Sequence, residues 1–323
     1  MRVLLTGAAG FIGFHCAQRL LLHETTEMVV GVDNLNAYYD PVLKAARLDK
    51  LTAQKKFRFA KADIADAEAM RRLWAEIKPT HVLHLAAQAG VRYAAQAPFA
   101  YTHSNINGFL SILEACRAHP PAHLLYASSS AVYGLNEHLP FSEDQMTDRP
   151  ASLYGATKKA NELMAHSYAH LYGLAATGLR FFTVYGPWGR PDMAFFKFTK
   201  AMLSNESIPL YNSGQMIRDF TYIDDVVAAS LALFDKPPMG TPPHRVLNIG
   251  GASPVLLLDA VAALEAAVGV SAARDLLPFQ PGDVPATTAD PAALKALVGF
   301  IPETPLGDGL GRFVEWYRGY YGG

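Results

Sequence analysis

Cysteine is nearly absent from this chain. Two occur in 323 residues, Cys16 and Cys116. Two cannot make a disulfide framework, and their spacing excludes a Cys-x-x-Cys metal site, so both are expected as buried, reduced core thiols. No metal site is expected elsewhere. An excess of charge is absent too: 28 Lys and Arg stand against 29 Asp and Glu, a formal net charge of -1. That balance argues against a nucleic-acid binder that neutralises phosphates over a basic patch, while leaving room for a few placed cations in a cleft. No apolar run is long enough to span a bilayer. The longest, residues 255–273, is interrupted by Asp259 and Glu265 and reads as a buried or amphipathic helix. The opening Met1-Arg2-Val3-Leu4-Leu5-Thr6 reaches Gly7 too soon for a signal peptide. A soluble, cytoplasmic protein without membrane or nucleic-acid partners is the expectation.

What is present is enough for a large core. Half the residues are hydrophobic, and the length suits two domains or one domain with an appendage. In the first half, short β-rich runs at residues 3–6, 28–32, 57–60, 81–85 and 124–127 alternate with helical patterns at 11–23, 41–51, 66–77 and 99–117. A helical pattern at 153–172 and a strand at 175–182 follow. Strands alternating with helices imply parallel pairing through right-handed crossovers, hence a doubly wound α/β sheet. The second half is less regular: eleven of the 21 prolines fall after residue 235. It reads as a smaller, loop-rich lobe. The expected division is a Rossmann-type domain at 1–184 with returning segments near 218–252, and a lobe made of 185–217 and 253–323.

Gly7-Ala8-Ala9-Gly10-Phe11-Ile12-Gly13 follows the first strand and opens a helix. Glycines there let the backbone turn tightly and approach a pyrophosphate at the positive helix N-terminus. The spacing is GxxGxxG, not the commoner GxGxxG, but its strand–turn–helix context is right. Asp33 ends the second strand, where an acid accepts hydrogen bonds from the adenosine ribose. A carboxylate repels a 2′-phosphate, and Asn34 and Leu35 bring no cation, so NAD is favoured over NADP.

Tyr154 and Lys158 are four apart on the 153–172 helix, on one face. A free tyrosine has a pKa of about 10, and a neighbouring ammonium and a cationic nicotinamide favour its phenolate, which fits Tyr154 to act as a base. Alone, this spacing is common and is better explained by a helix-surface pair. The addition is Ser128-Ser129-Ser130 at the carboxyl end of a strand, where α/β sheets place ligands.

In this order and length, the glycine motif, the strand-end serine and Tyr-x-x-x-Lys resemble the extended short-chain dehydrogenase/reductases. Further segments sharpen the likeness: Asp33-Asn34-Leu35-Asn36-Ala37-Tyr38-Tyr39, Ser128-Ser129-Ser130-Ala131-Val132-Tyr133-Gly134, and above all Arg180-Phe181-Phe182-Thr183-Val184-Tyr185-Gly186-Pro187-Trp188-Gly189-Arg190-Pro191-Asp192-Met193. They resemble the UDP-glucuronate 4-epimerases, and the likeness runs from residue 1 to about 290. It implies C4 epimerisation of UDP-glucuronate to UDP-galacturonate through a transient 4-keto sugar, the hydride held on tightly bound NAD, with Tyr154 as acid and base. It implies Ser129, Tyr154 and Lys158 as the catalytic set. Gly7, Gly10, Phe11, Ile12, Gly13, Asp33, Asn34, Asp63, Ile64, Leu85, Ala86, Ala87, Gln88 and Asn105, with Tyr154 and Lys158, match cofactor positions. Arg218 matches a diphosphate clamp and Asp283 a uridine-ribose or diphosphate-loop position. Ser129, Ser130, Thr183 and Arg190 are expected around the sugar, the last three as holders of its C6 carboxylate. The resemblance also implies a homodimer through the 99–117 and 153–172 helices.

Departures bear on the rivals. Gln280 stands where UDP-glucose 4-epimerases usually carry an arginine, three residues before Asp283, which asks Arg190 for the missing charge. Sugar-nucleotide 4,6-dehydratases place Asp-Glu where Ser130 and Ala131 stand. UDP-glucuronate decarboxylases place Glu at Ala131. UDP-glucose/UDP-galactose 4-epimerase activity is the main alternative, decarboxylation a lesser one, and an NAD-sensing protein without turnover belongs to another class. Residues left aside are His81 and His84, expected to pack on opposite faces of a sheet, and the pair His166 and His170.

Overall fold

The computed structural model describes residues 1–280 and 282–322. Seven strands form one parallel sheet: β1 (Arg2–Thr6), β2 (Met28–Asp33), β3 (Phe57–Lys61), β4 (His81–His84), β5 (His123–Ser129), β6 (Ala176–Phe181) and β7 (His244–Ile249). Their order across the sheet is β7-β6-β5-β4-β1-β2-β3. Every pairing is parallel, as in β1 on β2 with Val3 opposite Val29 and β1 on β4 with Val3 opposite His81. A parallel sheet is covered on both faces, so its strands are apolar throughout. Successive side chains of β1 therefore feed two cores: Val3 and Leu5 join one, with Phe11, Phe14 and Ala17, and Leu4 joins the other, with Trp74, Phe109 and Ile112.

The strand order reverses between β1 and β4, which leaves a crevice beyond their carboxyl ends. Gly7 follows β1 and Leu85 follows β4 at this point. β5 runs two residues further than expected, so Ser128 and Ser129 are still strand and Ser130 opens a short 3-10 turn.

The helix Leu153–Tyr172 has its expected bounds because both ends are punctuated. The Ser152 hydroxyl accepts from the Gly155 N–H at 3.1 Å, and Gly173 closes the helix at φ +67°. The expected helix at 99–117 is not continuous. It divides into a turn at Pro98–Tyr101, a π-helical stretch at Thr102–Gly108 and the helix Phe109–Ala118. The cause is tertiary. Asn161 donates to the Asn105 carbonyl at 2.6 Å, and the Asn105 side chain bonds the Gln88 backbone. Widened turns of this kind occur often at functional sites.

The remaining elements build over the crevice. Thr183–Tyr185 pairs with Ile217–Tyr222, which pairs with Pro254–Leu256; Ile208–Tyr211 pairs with Arg274–Leu277. Asp219 is buried and its carboxylate accepts backbone N–H bonds from Gly251, Ala252 and Ala289, stitching three segments together. The aromatic residues of helix Leu306–Tyr321 pack on Trp188 and Phe196, for example Trp316 on Trp188 at 5.3 Å between centroids. Cys16 and Cys116 are both buried and free. Among the described residues, no helix is long and apolar enough to cross a membrane.

Candidate active site

The glycine loop is shaped by steric necessity. Gly7 has φ +75°, and a Cβ on it would meet the Ala86 nitrogen at 2.7 Å. A Cβ on Gly13 would collide with the Gly7 carbonyl oxygen. The helix Phe11–Leu21 starts at Gly10 with no side-chain cap and no acid in its first turn. Its leading N–H groups are thus left for an anion. The loop and the bare helix end fit a dinucleotide pyrophosphate.

Asp33 is tied into this loop. Its carboxylate accepts from the Ala9 N–H at 3.1 Å and the Leu35 N–H at 2.8 Å. A carboxylate has about four lone-pair sites, so acceptor capacity remains for ribose hydroxyls. Asp63 and Asn105 flank the cavity between its lining residues Ala62, Ile64 and Ser104, Asp63 partly exposed and Asn105 buried. Asp63 accepts from the Asn34 amide at 3.2 Å and the Ala65 N–H at 2.9 Å. Burial pushes its carboxyl up, but those bonds and His103 outweigh it and hold it below the usual range. Asn105 is buried; it accepts from the Gln88 N–H at 2.8 Å and donates to the Gln88 carbonyl at 3.0 Å and to Thr157 at 3.0 Å. Both therefore shape the loops that carry Asn34 and Gln88.

Ser129, Tyr154 and Lys158 meet where β5 ends against the helix Leu153–Tyr172. The Lys158 ammonium donates to the Ala127 carbonyl at 2.9 Å, and burial lowers its pKa to about 8. Tyr154 departs from the sequence-based expectation. Burial raises its pKa, and the opposing influences are the Ser129 hydroxyl and Arg190, not Lys158, whose ammonium is engaged by the strand. Behind them, His84 is buried, shares a 2.8 Å hydrogen bond with Thr6 and stacks on Phe109. Burial first, and Lys158 second, push it down to about 3, so it is neutral. His81 packs against Phe234, towards the other core.

On the opposite wall, Arg190 is not a free cation. Asp192 takes it in a fork, with Nε at 3.0 Å and Nη2 at 2.5 Å, and Tyr38 donates to the same carboxylate at 3.0 Å. Two further cations stand near Gln280. Arg218 reaches Asp283 at 2.9 Å, and Arg92, in the loop after β4, reaches the other oxygen at 3.2 Å. Arg92 also lies over the Tyr211 ring, 4.3 Å from its centroid.

One cavity of about 400 Å³ joins these parts, walled by the glycine loop, Asp33, Ser129, Tyr154, Lys158, Thr183, Arg190, Arg218 and Asp283 among others. A family model described as the NAD dependent epimerase/dehydratase family matches residues 3–250. The chain belongs to this family. A probable UDP-glucuronate 4-epimerase of Rhizobium meliloti (strain 1021) is 47% identical over 99% of this chain and 98% of its own. UDP-glucuronate 4-epimerase 4 of Arabidopsis thaliana is 49% identical over 99% of this chain and 76% of its own. The crystal structure of UDP-glucuronic acid 4-epimerase from Bacillus cereus, in complex with UDP-glucuronic acid and NAD, superposes with a TM-score of 0.93 at 35% identity, covering 99% of this chain and 100% of that one.

Within this epimerase/dehydratase framework, three contributors escaped the sequence reading. Arg92 was missed because its partner Asp283 lies 191 positions away. Lys44 lines the same wall as Asp33, its ammonium donating to Asn36 at 2.7 Å and 2.8 Å. The segment Tyr38-Tyr39 was quoted only as part of a motif, yet Tyr38 holds Asp192 and Tyr39 accepts from Arg47 at 2.7 Å. A local signal existed for Lys44 alone, as a cation eleven residues beyond the strand-end acid.

Proposed function

We propose that this protein interconverts UDP-glucuronate and UDP-galacturonate by epimerisation at C4, using NAD. The observation that carries this is the convergence of a Ser–Tyr–Lys set, a glycine cradle and the Arg218–Asp283 pair on one cavity. The chemistry that NAD supplies when bound is reversible hydride acceptance at the sugar carbon. The remaining work belongs to the chain. Gly7, Gly10 and Gly13, with the bare end of helix Phe11–Leu21, receive the pyrophosphate, and Asp33 receives the adenosine ribose. Lys158, held by the Ala127 carbonyl at the end of β5, would receive the nicotinamide ribose.

Tyr154 takes the proton from the sugar 4-hydroxyl and returns it to the oxygen after the sugar has turned over. Ser129 donates a hydrogen bond to that oxygen while it is a carbonyl. Because burial holds Tyr154 protonated, the cationic environment of the filled site is what makes it a base at neutral pH. The diphosphate is anchored by Arg218, with Arg92 as the second cation, so UDP stays fixed while the sugar rotates. A 4-keto uronate is a β-keto acid and loses CO₂ when the carboxylate bond aligns with the carbonyl. Ser130, Thr183 and Arg190 hold the carboxylate out of that alignment.

In this reading the dinucleotide belongs to the large sheet, residues 1–184 with returns near 218–252, and the UDP-sugar to 185–217 and 253–323. The helices Phe109–Ala118 and Leu153–Tyr172 leave Leu110, Leu163, Leu171 and Tyr172 exposed, which supports a homodimer through these helices. The cytoplasm, where nucleotide sugars are made, is its compartment.

The test is direct. Purified protein is mixed with UDP-glucuronate, with and without added NAD, and products are resolved by chromatography and NMR. UDP-galacturonate is expected. Turnover of UDP-glucose alone assigns a hexose epimerase, and bound NAD without turnover assigns a sensor.

A further inference from the structure

We propose that Arg47 is a positioning residue that ties the glycine loop to the turn carrying Arg190, so that filling the dinucleotide site orders the sugar side of the cavity. This rests on the dinucleotide reading above and extends it. Arg47 stands on helix Pro41–Thr52 and is fully buried. Among the described residues it has no carboxylate within ion-pair distance. A buried cation without a counter-ion is costly and persists only where hydrogen bonds replace its water.

Those bonds go to two separate places. Nη1 donates to the Ala9 carbonyl at 2.8 Å and to the Tyr39 hydroxyl at 2.7 Å. Nη2 donates to the Trp188 carbonyl at 2.6 Å and the Gly189 carbonyl at 3.2 Å. Nε has no partner. Ala9 lies inside the glycine loop. Its carbonyl shares a rigid peptide plane with the Gly10 N–H, which donates to Gly7 at 3.0 Å. One end of the plane thus faces the phosphate cradle and the other is held by Arg47.

The second place is strained. Trp188 has φ +59°, a left-handed conformation that a bulky side chain adopts only when its surroundings impose it. The Trp316 and Tyr320 rings pack on it at 5.3 Å and 5.1 Å, and three further contacts help to impose it: Arg47 on the Trp188 carbonyl, the Phe14 ring 5.4 Å from the Trp188 ring, and His15 on the Pro187 carbonyl at 2.9 Å. Burial keeps His15 neutral, with its pKa near 4, so its ring N–H serves as a donor. All three come from the helices that flank the glycine loop. Two residues beyond Trp188 is Arg190, whose charge acts on Tyr154. The fork of one guanidinium therefore bridges the cradle and the wall opposite the catalytic tyrosine. A lysine cannot do this, because a point charge on a single stem has no rigid fork.

Hydrogen–deuterium exchange on protein freed of dinucleotide, and on the same protein saturated with NAD, tests the link. In the wild type NAD slows exchange in 8–14 and also in 186–193. In Arg47→Met, NAD still slows 8–14 and leaves 186–193 unchanged. In Arg47→Lys, which keeps the charge but not the fork and serves if the methionine variant does not fold, NAD likewise slows 8–14 and leaves 186–193 unchanged. Equal protection of both segments in either variant as in the wild type overturns the proposal, as does wild-type protection confined to 8–14. Protection of neither segment in the wild type overturns it too, and in that case the dinucleotide reading is the one that failed.

Discussion

Glu162 and Arg180 form a buried fork, Nε to Oε1 at 2.8 Å and Nη2 to Oε2 at 2.9 Å. The same Oε1 accepts from the Ser128 hydroxyl at 2.6 Å. Glu162 lies one turn beyond Lys158, which lies one turn beyond Tyr154, so a single helix face delivers all three. The pair fastens the serine-bearing end of β5 to the catalytic helix and to β6.

Removing Glu162 leaves the Arg180 charge buried without a counter-charge, and removing Arg180 leaves Glu162 with Lys159 alone, at 3.8 Å; breaking such a buried pair costs about 3–5 kcal/mol. Glu162→Ala and Arg180→Ala are each expected to lose that much in urea unfolding. Glu162→Met with Arg180→Met recovers part of the loss, because no lone charge remains. A single variant within ~1 kcal/mol of wild type would sink this account.

Lys158 carries its burial as a pH dependence. Its folded pKa is about 8 against an ordinary 10.5. Between these values the unfolded chain binds a proton that the folded chain does not, so stability rises with pH across that window. Below about 8 both states are protonated and the penalty of the buried charge is fully present; above 10.5 it is gone. Measured without dinucleotide between pH 7.5 and 10, the wild type should gain on the order of 2 kcal/mol relative to Lys158→Met. Parallel curves for the two proteins would contradict it.

The sheet was legible because its code is local: apolar runs of strand length, alternating with helical periods, three of them opened by a capping side chain at Asp40, Asp66 or Ser152. The Gly7–Gly13 spacing, Asp33 and Tyr154–Lys158 were legible for the same reason. The break at Thr102–Gly108 was not, since it depends on Asn161 and Gln88, which lie far off in sequence. Arg92 beside Asp283 and Arg47 beneath Trp188 were hidden likewise: each is an ordinary basic residue until the fold brings its partner. The engagement of the Lys158 ammonium was not legible either, because helical spacing places Lys158 on the right face but does not say that the Ala127 carbonyl accepts from it.

In the proposed reading, Asp33 sets dinucleotide choice through its charge, and two backbone N–H bonds hold its carboxylate in place. Asp33→Asn removes the repulsion of a 2′-phosphate and weakens the acceptance of ribose hydroxyls. A hydrogen bond to a charged group is worth about 1.5–3 kcal/mol, so NAD affinity is expected to fall by roughly 10- to 100-fold. NADP affinity falls less or rises, because Lys44 stands in the same wall. Calorimetric titration with both dinucleotides measures the ratio; an unchanged preference for NAD would mean that Asp33 is not the discriminator.

Ser130 and Thr183 face the cavity from the 3-10 turn after β5 and from the strand Thr183–Tyr185 after β6, with Arg190 in the same lining. Arg190 is already neutralised by Asp192, so the hydroxyls carry more of the carboxylate's restraint than charge alone suggests. Thr183→Ala removes one hydrogen bond, worth about 1 kcal/mol, from a group whose rotation decides between reprotonation and loss of CO₂. The fraction of turnovers ending in UDP-4-keto-pentose should rise by roughly fivefold, read by mass spectrometry of the products, while NAD content and UDP affinity stay as in the wild type. Adding Ser130→Ala should raise it again. A Thr183→Ala protein that releases no pentose removes Thr183 from this role and leaves the restraint to Ser130 and the Arg190–Asp192 pair.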